Sequence, residues 1–200
     1  MAVAVTDARE RYWTYDDLKE LPDDGRRWEI VDGALVEMTG PTSPHMIAVF
    51  NLIRELQAVV GGMGGMLLGA PLDVMLPGGH VVEPDLLVTL PGGPARLSMR
   101  GLEGPPDLVV EVLSPSNRRH DTVTKRALYG RTGVREYWIV DPESRTIERL
   151  EPVESAMLLR RRFAADETFA SPLLPGMAFP VATLFAGFDL IDDAPTTEEA

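Results

Sequence analysis

The stretch that decides the fold is residues 106–140, which read PDLVVEVLSPSNRRHDTVTKRALYGRTGVREYWIV. Its apolar start, residues 108–113, predicts a buried strand. A polar turn follows, then a helix over residues 121–131 and a second buried strand over residues 136–140. Because a strand, a helix and a strand in succession form a crossover unit, we expect the two strands to be parallel neighbours in one sheet.

Strand-like segments flank this unit at residues 28–31, 34–38, 72–76, 81–90, 146–150 and 157–163. The first two are joined by Asp32-Gly33, a dipeptide that supplies the positive φ angles of a tight hairpin. Apolar residues recur at helical spacing between residues 47 and 60, whereas residues 91–106 predict a loop. The pattern predicts an α/β or α+β fold, with a mixed central sheet flanked by helices and an N-terminal β-hairpin.

The length and composition fit one domain, because 200 residues with 44% hydrophobic side chains can build one ordinary core. We expect residues 1–190 to form this domain and residues 191–200 to be an acidic, disordered tail. No apolar run is long enough to cross a bilayer, and the N-terminus lacks the pattern of a signal peptide. We therefore expect a cytoplasmic protein without membrane association.

A net charge of -12 argues against nonspecific nucleic-acid binding, which depends on clustered positive charge. The charge is unevenly distributed, however. Between residues 114 and 135 Asp121 is the only acidic residue, against the basic residues Arg118, Arg119, Lys125, Arg126, Arg131 and Arg135. A local basic face that contacts phosphate is one interpretation, and an ordinary solvated helix surface is the other.

The cysteine and histidine content limits the cofactors. The chain has no cysteine and three histidines, so thiolate or all-histidine zinc sites are not expected. A bound metal would have oxygen ligands, which favours Mg²⁺, with Mn²⁺ as a substitute. The glycine clusters match neither the dinucleotide-binding nor the Walker pattern, so we expect no nucleotide cofactor.

Two carboxylates stand at the ends of apolar strands, Asp85 after Pro84 and Glu111. Burying such a group is costly unless it is paired or binds a cation. With the backbone carbonyl of Val112, water and a phosphate oxygen, the two side chains would offer ligands that Mg²⁺ prefers. Asp107 is a competing aspartate, but it lies roughly 13 Å from Glu111 along the same strand, too far to share one ion. We interpret Asp107 as a residue that begins the strand or belongs to the turn before it.

Lys125 is one of only two lysines, the other being Lys19. It follows Glu111 by fourteen positions, on a helix that should return across the sheet. Its ammonium group would then orient the attacking water and offset negative charge in the transition state. The alternative is a surface ion pair with Asp121 at i, i+4, worth about 0.3 to 0.5 kcal/mol.

Weaker candidates surround these three residues. His45 opens the long helix after a proline-rich loop, where it contacts substrate or water or merely caps and packs. Glu29 lies on the first hairpin strand, as a third carboxylate or, as the alternating pattern favours, at an exposed position. Arg118, Arg119 and Arg126 are candidate phosphate contacts.

The motifs together resemble the Uma2 family (DUF820) of restriction-type endonucleases. The resemblance is carried by residues 83–88, by residues 106–116, by Asp121, Lys125 and Tyr129 at four-residue spacing, and by residues 133–142. Residues 28–33 and His45 extend it, so that it spans residues 12–188. This family is placed in the PD-(D/E)XK superfamily of restriction-endonuclease-like nucleases, which cut DNA with Mg²⁺. The resemblance implies that Asp85 and Glu111 are metal ligands and that DNA is the substrate.

The chain departs from the superfamily at Leu113, which stands where a lysine is expected two residues after Glu111. The resemblance to members with a displaced lysine implies that Lys125 supplies the missing ammonium group. The competing hypotheses are a non-catalytic homodimeric binding module that retains the nuclease fold, and a phosphodiesterase acting on RNA or a small nucleotide. Because cutting both strands of a duplex suits two-fold symmetry, we expect a homodimer.

Overall fold

The structure is a computed structural model and describes residues 11–192. Its strands are β1 (Arg27–Val31), β2 (Ala34–Met38), β3 (Met66–Gly69), β4 (Val74–Leu76), β5 (His80–Val82), β6 (Leu86–Thr89), β7 (Arg96–Ser98), β8 (Gly101–Glu103), β9 (Leu108–Val112), β10 (Glu136–Asp141), β11 (Thr146–Val153), β12 (Ala156–Ala164), β13 (Thr168–Ala170) and β14 (Ala178–Pro180). Its α-helices are α1 (Tyr15–Lys19), α2 (Ser43–Gly62) and α3 (Arg126–Thr132), and a π-helical turn (His120–Lys125) leads directly into α3. Short 3₁₀ helices cover Val181–Phe185 and Phe188–Leu190.

Two mixed six-stranded sheets organise the molecule. We call them the hairpin sheet, in the order β2-β1-β5-β4-β8-β7, and the central sheet, in the order β12-β11-β10-β9-β6-β3. Each has one parallel pair, β4 with β8 and β9 with β10, and its other pairs are antiparallel. The predicted mixed α/β class is confirmed, although the strands form two large sheets rather than one.

The crossover unit of residues 106–140 forms as the sequence predicts. Strand β9 pairs in parallel with β10, and the π-helical turn and α3 connect them. Val110 and Val112 pack into one hydrophobic cluster with α2, whereas Val109 and Leu113 pack into another with α3. Since side chains alternate along a strand, Glu111 shares the α3 side with Val109. Burial on both faces explains the continuous apolar pattern of β9.

The N-terminal elements follow their sequence signals. Asp32 and Gly33 have φ angles of 52° and 74°, as a tight hairpin between β1 and β2 requires. The short helix α1 begins with a capping box between Thr14 and Asp17. Among residues 11–192, no helix is both long and apolar enough to span a membrane.

One predicted strand is wrong, and it lies next to the site. Residues 81–90 are divided at residues 83–85, so that β5 belongs to the hairpin sheet and β6 to the central sheet. Pro84 has no amide hydrogen to donate to a strand ladder, which favours a break at this point. The predicted loop at residues 91–106 contains the short β7–β8 hairpin. The predicted tail, apart from residues 191 and 192, lies outside the described residues.

Candidate active site

A small cavity lies where the chain passes from one sheet to the other. Its volume is about 20 Å³, which has room for roughly one water-sized group. Four carboxylic residues line it: Glu83, Asp85, Glu111 and Asp121. The remaining lining residues are Arg27, Met38, Thr39, Pro41, His45, Ala70, Val112, Ser114 and Asn117.

Asp85 is held against β9 by the break between β5 and β6. Its backbone N–H donates to Glu111 Oε2 at 3.3 Å, and its Oδ2 accepts from the Val112 N–H at 2.7 Å. His45 Nε2 lies 3.0 Å from the same Asp85 oxygen. The structure thus brings Asp85, Glu111, Val112 and His45 together around one cavity.

Glu111 is buried at the centre of the central sheet, with 2% of its surface exposed. Its Oε1 accepts hydrogen bonds from Lys125 Nζ and from the Tyr129 hydroxyl, both at 2.9 Å. Burial raises the pKa of Glu111 well above its usual value, and the charge of Lys125 opposes this rise. Lys125 therefore favours the carboxylate form, which is the form that binds a cation.

Lys125 is completely buried among three carboxylic residues. Its Nζ lies 2.7 Å from Glu29 Oε1, 2.9 Å from Glu111 Oε1 and 3.7 Å from Asp121 Oδ1. Burial alone would lower the pKa of Lys125, but the three carboxylates raise it well above its usual value. The interpretation of Lys125 as a surface ion-pair residue is therefore wrong, because its ammonium group is buried and charged.

Glu29 is also fully buried, so the expectation of an exposed strand position is wrong. Strand β1 lies between β2 and β5, and Glu29 meets Lys125 and His120 of the π-helical turn. Glu29 Oε2 lies 2.7 Å from His120 Nε2, and Oε1 accepts from the Glu83 N–H at 2.9 Å. Burial acts to raise the pKa of Glu29, yet Lys125 and His120 outweigh it and lower the pKa.

Asp121 is a cavity residue that we did not predict as part of the site. It is 2% exposed, and within residues 11–192 its Oδ1 has no hydrogen-bond partner. Burial raises the pKa of Asp121 to about 7. The spacing of Asp121, Lys125 and Tyr129 was the available signal, because residues four apart share one helix face. In the π-helical turn, the Arg126 N–H donates to the Asp121 carbonyl five residues back.

The predicted phosphate contacts lie away from the cavity. Arg118 donates to Asp141 and Glu143, and Arg126 donates to the Met157 carbonyl. Neither these two arginines nor the exposed Arg119 is among the described residues that line the cavity.

Two further residues lie apart from the cavity lining. Lys125 is not part of that lining either and lies behind Glu111. Asp107 lies directly before β9, where it accepts from the Leu90 N–H at 2.7 Å and pairs with Arg135.

The donor set fits a hard divalent cation. In the described part of the chain, no three His, Asp or Glu side chains form a ready-made metal cage. Mg²⁺ does not require one, since it keeps several waters and usually takes one or two carboxylates. Asp85 and Glu111 face one water-sized cavity. Among the described residues Asp121 Oδ1 has no hydrogen-bond partner, and the pKa of Glu111 is raised; both reflect an excess of carboxylates that a cation would relieve.

Comparison with known proteins agrees with this fold. A family model described as "Uma2: Putative restriction endonuclease" matches residues 15–182, and the chain belongs to this family. A similar solved structure is the crystal structure of "a putative nuclease belonging to DUF820" from Anabaena variabilis ATCC 29413. It matches with a TM-score of 0.70 and 20% sequence identity, covering 86% of this chain and 97% of that one, which shows a shared fold. No curated protein matches.

Proposed function

We propose that the protein is a magnesium-dependent endonuclease that hydrolyses phosphodiester bonds of DNA. The observation that carries the proposal is that Asp85 and Glu111 lie side by side at one cavity. The ammonium group of Lys125 donates a hydrogen bond to the other carboxylate oxygen of Glu111. Membership of a family described as restriction endonucleases supports nuclease function in general.

Asp85, Glu111 and the backbone carbonyl of Val112 would hold the metal. Bound there, Mg²⁺ would polarise the phosphoryl group and lower the pKa of the attacking water. Lys125 contributes through Glu111, because its charge favours the ionised form of Glu111 and its hydrogen bond fixes one of the Glu111 oxygens. Lys125 is thus a positioning residue rather than a direct contact of the water.

His45 and Tyr129 complete the support of the two carboxylates. His45 lies against Asp85 Oδ2, and the Tyr129 hydroxyl donates to Glu111 Oε1. Burial and the nearby Glu111 raise the pKa of Tyr129 well above its usual value, so its hydroxyl remains a hydrogen-bond donor. Each carboxylate is therefore held in one orientation by neighbours that carry a proton.

Cleavage of supercoiled plasmid DNA in Mg²⁺ tests the proposal. We expect cleavage by the wild type and its loss in Asp85→Asn and Glu111→Gln. Asp16→Asn is the matched control, because the Asp16 side chain is 85% exposed on α1. Cleavage at the wild-type rate by both site variants would refute the assignment of the site.

A non-catalytic homodimeric module is the second candidate, favoured by the net charge of -12 and the small volume of the cavity. Titration calorimetry with Mg²⁺ and Mn²⁺ separates the two. Binding that Glu111→Gln abolishes supports the enzyme, and wild-type protein that binds neither metal supports the module. Analytical ultracentrifugation tests the proposed homodimer, and RNA and small nucleotides in the cleavage assay test the alternative substrates.

A further inference from the structure

Strand β1 presents two charged side chains to the site side of the hairpin sheet. Arg27 and Glu29 are two residues apart, so they project from the same face of the strand. Glu29 is fully buried against Lys125, whereas the Arg27 side chain is 37% exposed. On one face of β1, Glu29 therefore contacts the buried Lys125, and Arg27 lies at the mouth of the cavity.

Arg27 is the only arginine or lysine among the described residues that line the cavity. It shares the lining with Asp85, Glu111 and Val112, the residues proposed to hold the metal. Its guanidinium group makes one hydrogen bond within residues 11–192, to Glu83 Oε2 at 3.3 Å. Since a guanidinium group carries five N–H donors, most of its donor capacity faces outward.

The other basic side chains near the site are engaged elsewhere. Arg118 forms a fork with Asp141, Arg131 pairs with Asp32, and Lys125 is sealed behind Glu111. Arg27 is thus the arginine that lines the cavity beside the proposed metal ligands.

We propose that Arg27 contacts a non-bridging oxygen of the phosphodiester group as that group enters the cavity mouth. The inference rests on the proposed function and names a substrate-binding residue that the sequence did not suggest. Glu83 holds the guanidinium group at the mouth until phosphate arrives. A phosphodiester group can displace Glu83, because its two charged non-bridging oxygens can each accept an N–H of the guanidinium group, whereas Glu83 makes a single contact of 3.3 Å.

The pair Arg27–Glu83 is suited to such an exchange. Its single contact is long for a charge-assisted hydrogen bond. The partly exposed arginine can therefore leave Glu83 without disturbing the buried lysine network.

The test compares Arg27→Gln with Arg118→Gln, an arginine of similar exposure, 39%, that does not line the cavity. Fluorescence anisotropy measures the affinity for a labelled DNA duplex over a series of NaCl concentrations, and a separate assay measures cleavage. We expect Arg27→Gln to lose about tenfold in affinity and to reduce the slope of log K against log salt by about one, as loss of one phosphate contact predicts. Arg118→Gln should bind like the wild type, and Arg27→Lys should retain the salt slope.

Calorimetry with Mg²⁺ and a melting curve show whether Arg27→Gln remains folded and binds metal as the wild type does. Unchanged DNA affinity in Arg27→Gln, or an equal loss of affinity in Arg118→Gln, overturns the inference. The proposed function is tested separately, by the cleavage assay. Wild-type protein that binds DNA but does not cut it, with weaker binding in Arg27→Gln, refutes the enzyme and retains the inference. Wild-type protein that binds no DNA overturns the inference.

Discussion

The charges at the site are unequal in number. Three carboxylic residues, Glu29, Glu111 and Asp121, surround the buried ammonium group of Lys125, and a fourth, Asp85, lies beside Glu111. Lys125 cannot neutralise all of them, and the pKa values of Glu111 and Asp121 rise because both are buried. The charged groups of the site are therefore coupled, and the loss of one charge changes the protonation of its neighbours.

Replacing Lys125 tests how strongly the network depends on it. Lys125→Met should lower the free energy of unfolding by about 3 to 5 kcal/mol, because it leaves buried carboxylates without their cation. Lys19→Met changes the other lysine, which is 51% exposed, and should cost less than about 0.5 kcal/mol. Urea unfolding at pH 7 measures both. Equal stabilities of the two variants would contradict the structural role of Lys125.

Asp121 gives the protein a specific dependence on pH. The pKa of Asp121 is about 7 in the folded protein and 3.8 as the reference for the unfolded chain, so the folded state binds the extra proton between these values. Stability from this group is present below pH 4 and is lost as the pH rises towards 7. Asp121→Asn should remove a slope of up to about 1.4 kcal/mol per pH unit from this window.

Unfolding in urea from pH 4 to pH 8, with EDTA present, measures this slope. Asp16→Asn, at the surface, is the matched control for the loss of one carboxylate. Parallel stability curves for the wild type and Asp121→Asn would show that Asp121 does not titrate in this window.

The sequence predicted Asp85, Glu111 and Lys125 as site residues, and the structure places them close together, but the burial of Glu29 beside Lys125 was not predicted. Asp85 and Glu111 each adjoin an apolar stretch, and lysine is rare in this chain. All three residues are therefore easily recognised in the sequence. Glu29 is not, because an alternating strand next to a hairpin turn is typical of an exposed position. Its burial depends on the π-helical turn, which lies about ninety residues further along the chain.

At the scale of elements, strong local patterns predicted β9, β10, α2 and the β1–β2 hairpin. The break at residues 83–85 was missed, since the apolar run on either side of Pro84 matches one long strand equally well. The π-helical turn was missed as well, because a single turn with i, i+5 bonds is too short to be distinguished by its spacing from the α-helix that follows. Both errors concern local departures from a regular strand or helix.

Helix α3 packs closely on β12 at Gly130. A Cβ atom on this residue would lie 2.7 Å from the Met157 backbone nitrogen and 2.9 Å from backbone atoms of Ala156. Gly130→Ala should therefore destabilise the protein by about 1 to 3 kcal/mol, the usual cost of overpacking. Gly61→Ala, in α2 with nothing within 4 Å of its Cβ position, should be stabilising by about 0.4 to 1 kcal/mol.

Thermal melting of both glycine variants checks the prediction. A rise in Tm for Gly61→Ala and a fall for Gly130→Ala are expected. Equal effects would mean that helix propensity, rather than the contact between α3 and β12, determines the result.

For the whole molecule, the net charge of -12 should make stability depend on salt. Self-repulsion opposes the compact state, and salt screens it. Raising NaCl from about 20 mM to about 300 mM should therefore raise Tm, because the Debye length falls below typical distances between surface charges. A fall in Tm would show that surface ion pairs such as Arg161 with Glu167 matter more than the net charge.

The division into two sheets is the feature of the whole molecule that the sequence left open. The longer strands were predictable, whereas the short strands β3, β7, β8, β13 and β14 were not. Sheet membership depends on pairings such as β1 with β5, which join distant segments. Such non-local pairing carries little local signal.

The break at residues 83–85 ties the site to the relative position of the two sheets. Asp85 belongs to the connection between them, whereas Glu111 is fixed within the central sheet. A displacement of one sheet against the other would therefore change the separation of the two carboxylates before it disturbed either core. Asp85 thus lies at a hinge between the two sheets, and the distance between the two carboxylates depends on how the sheets are aligned.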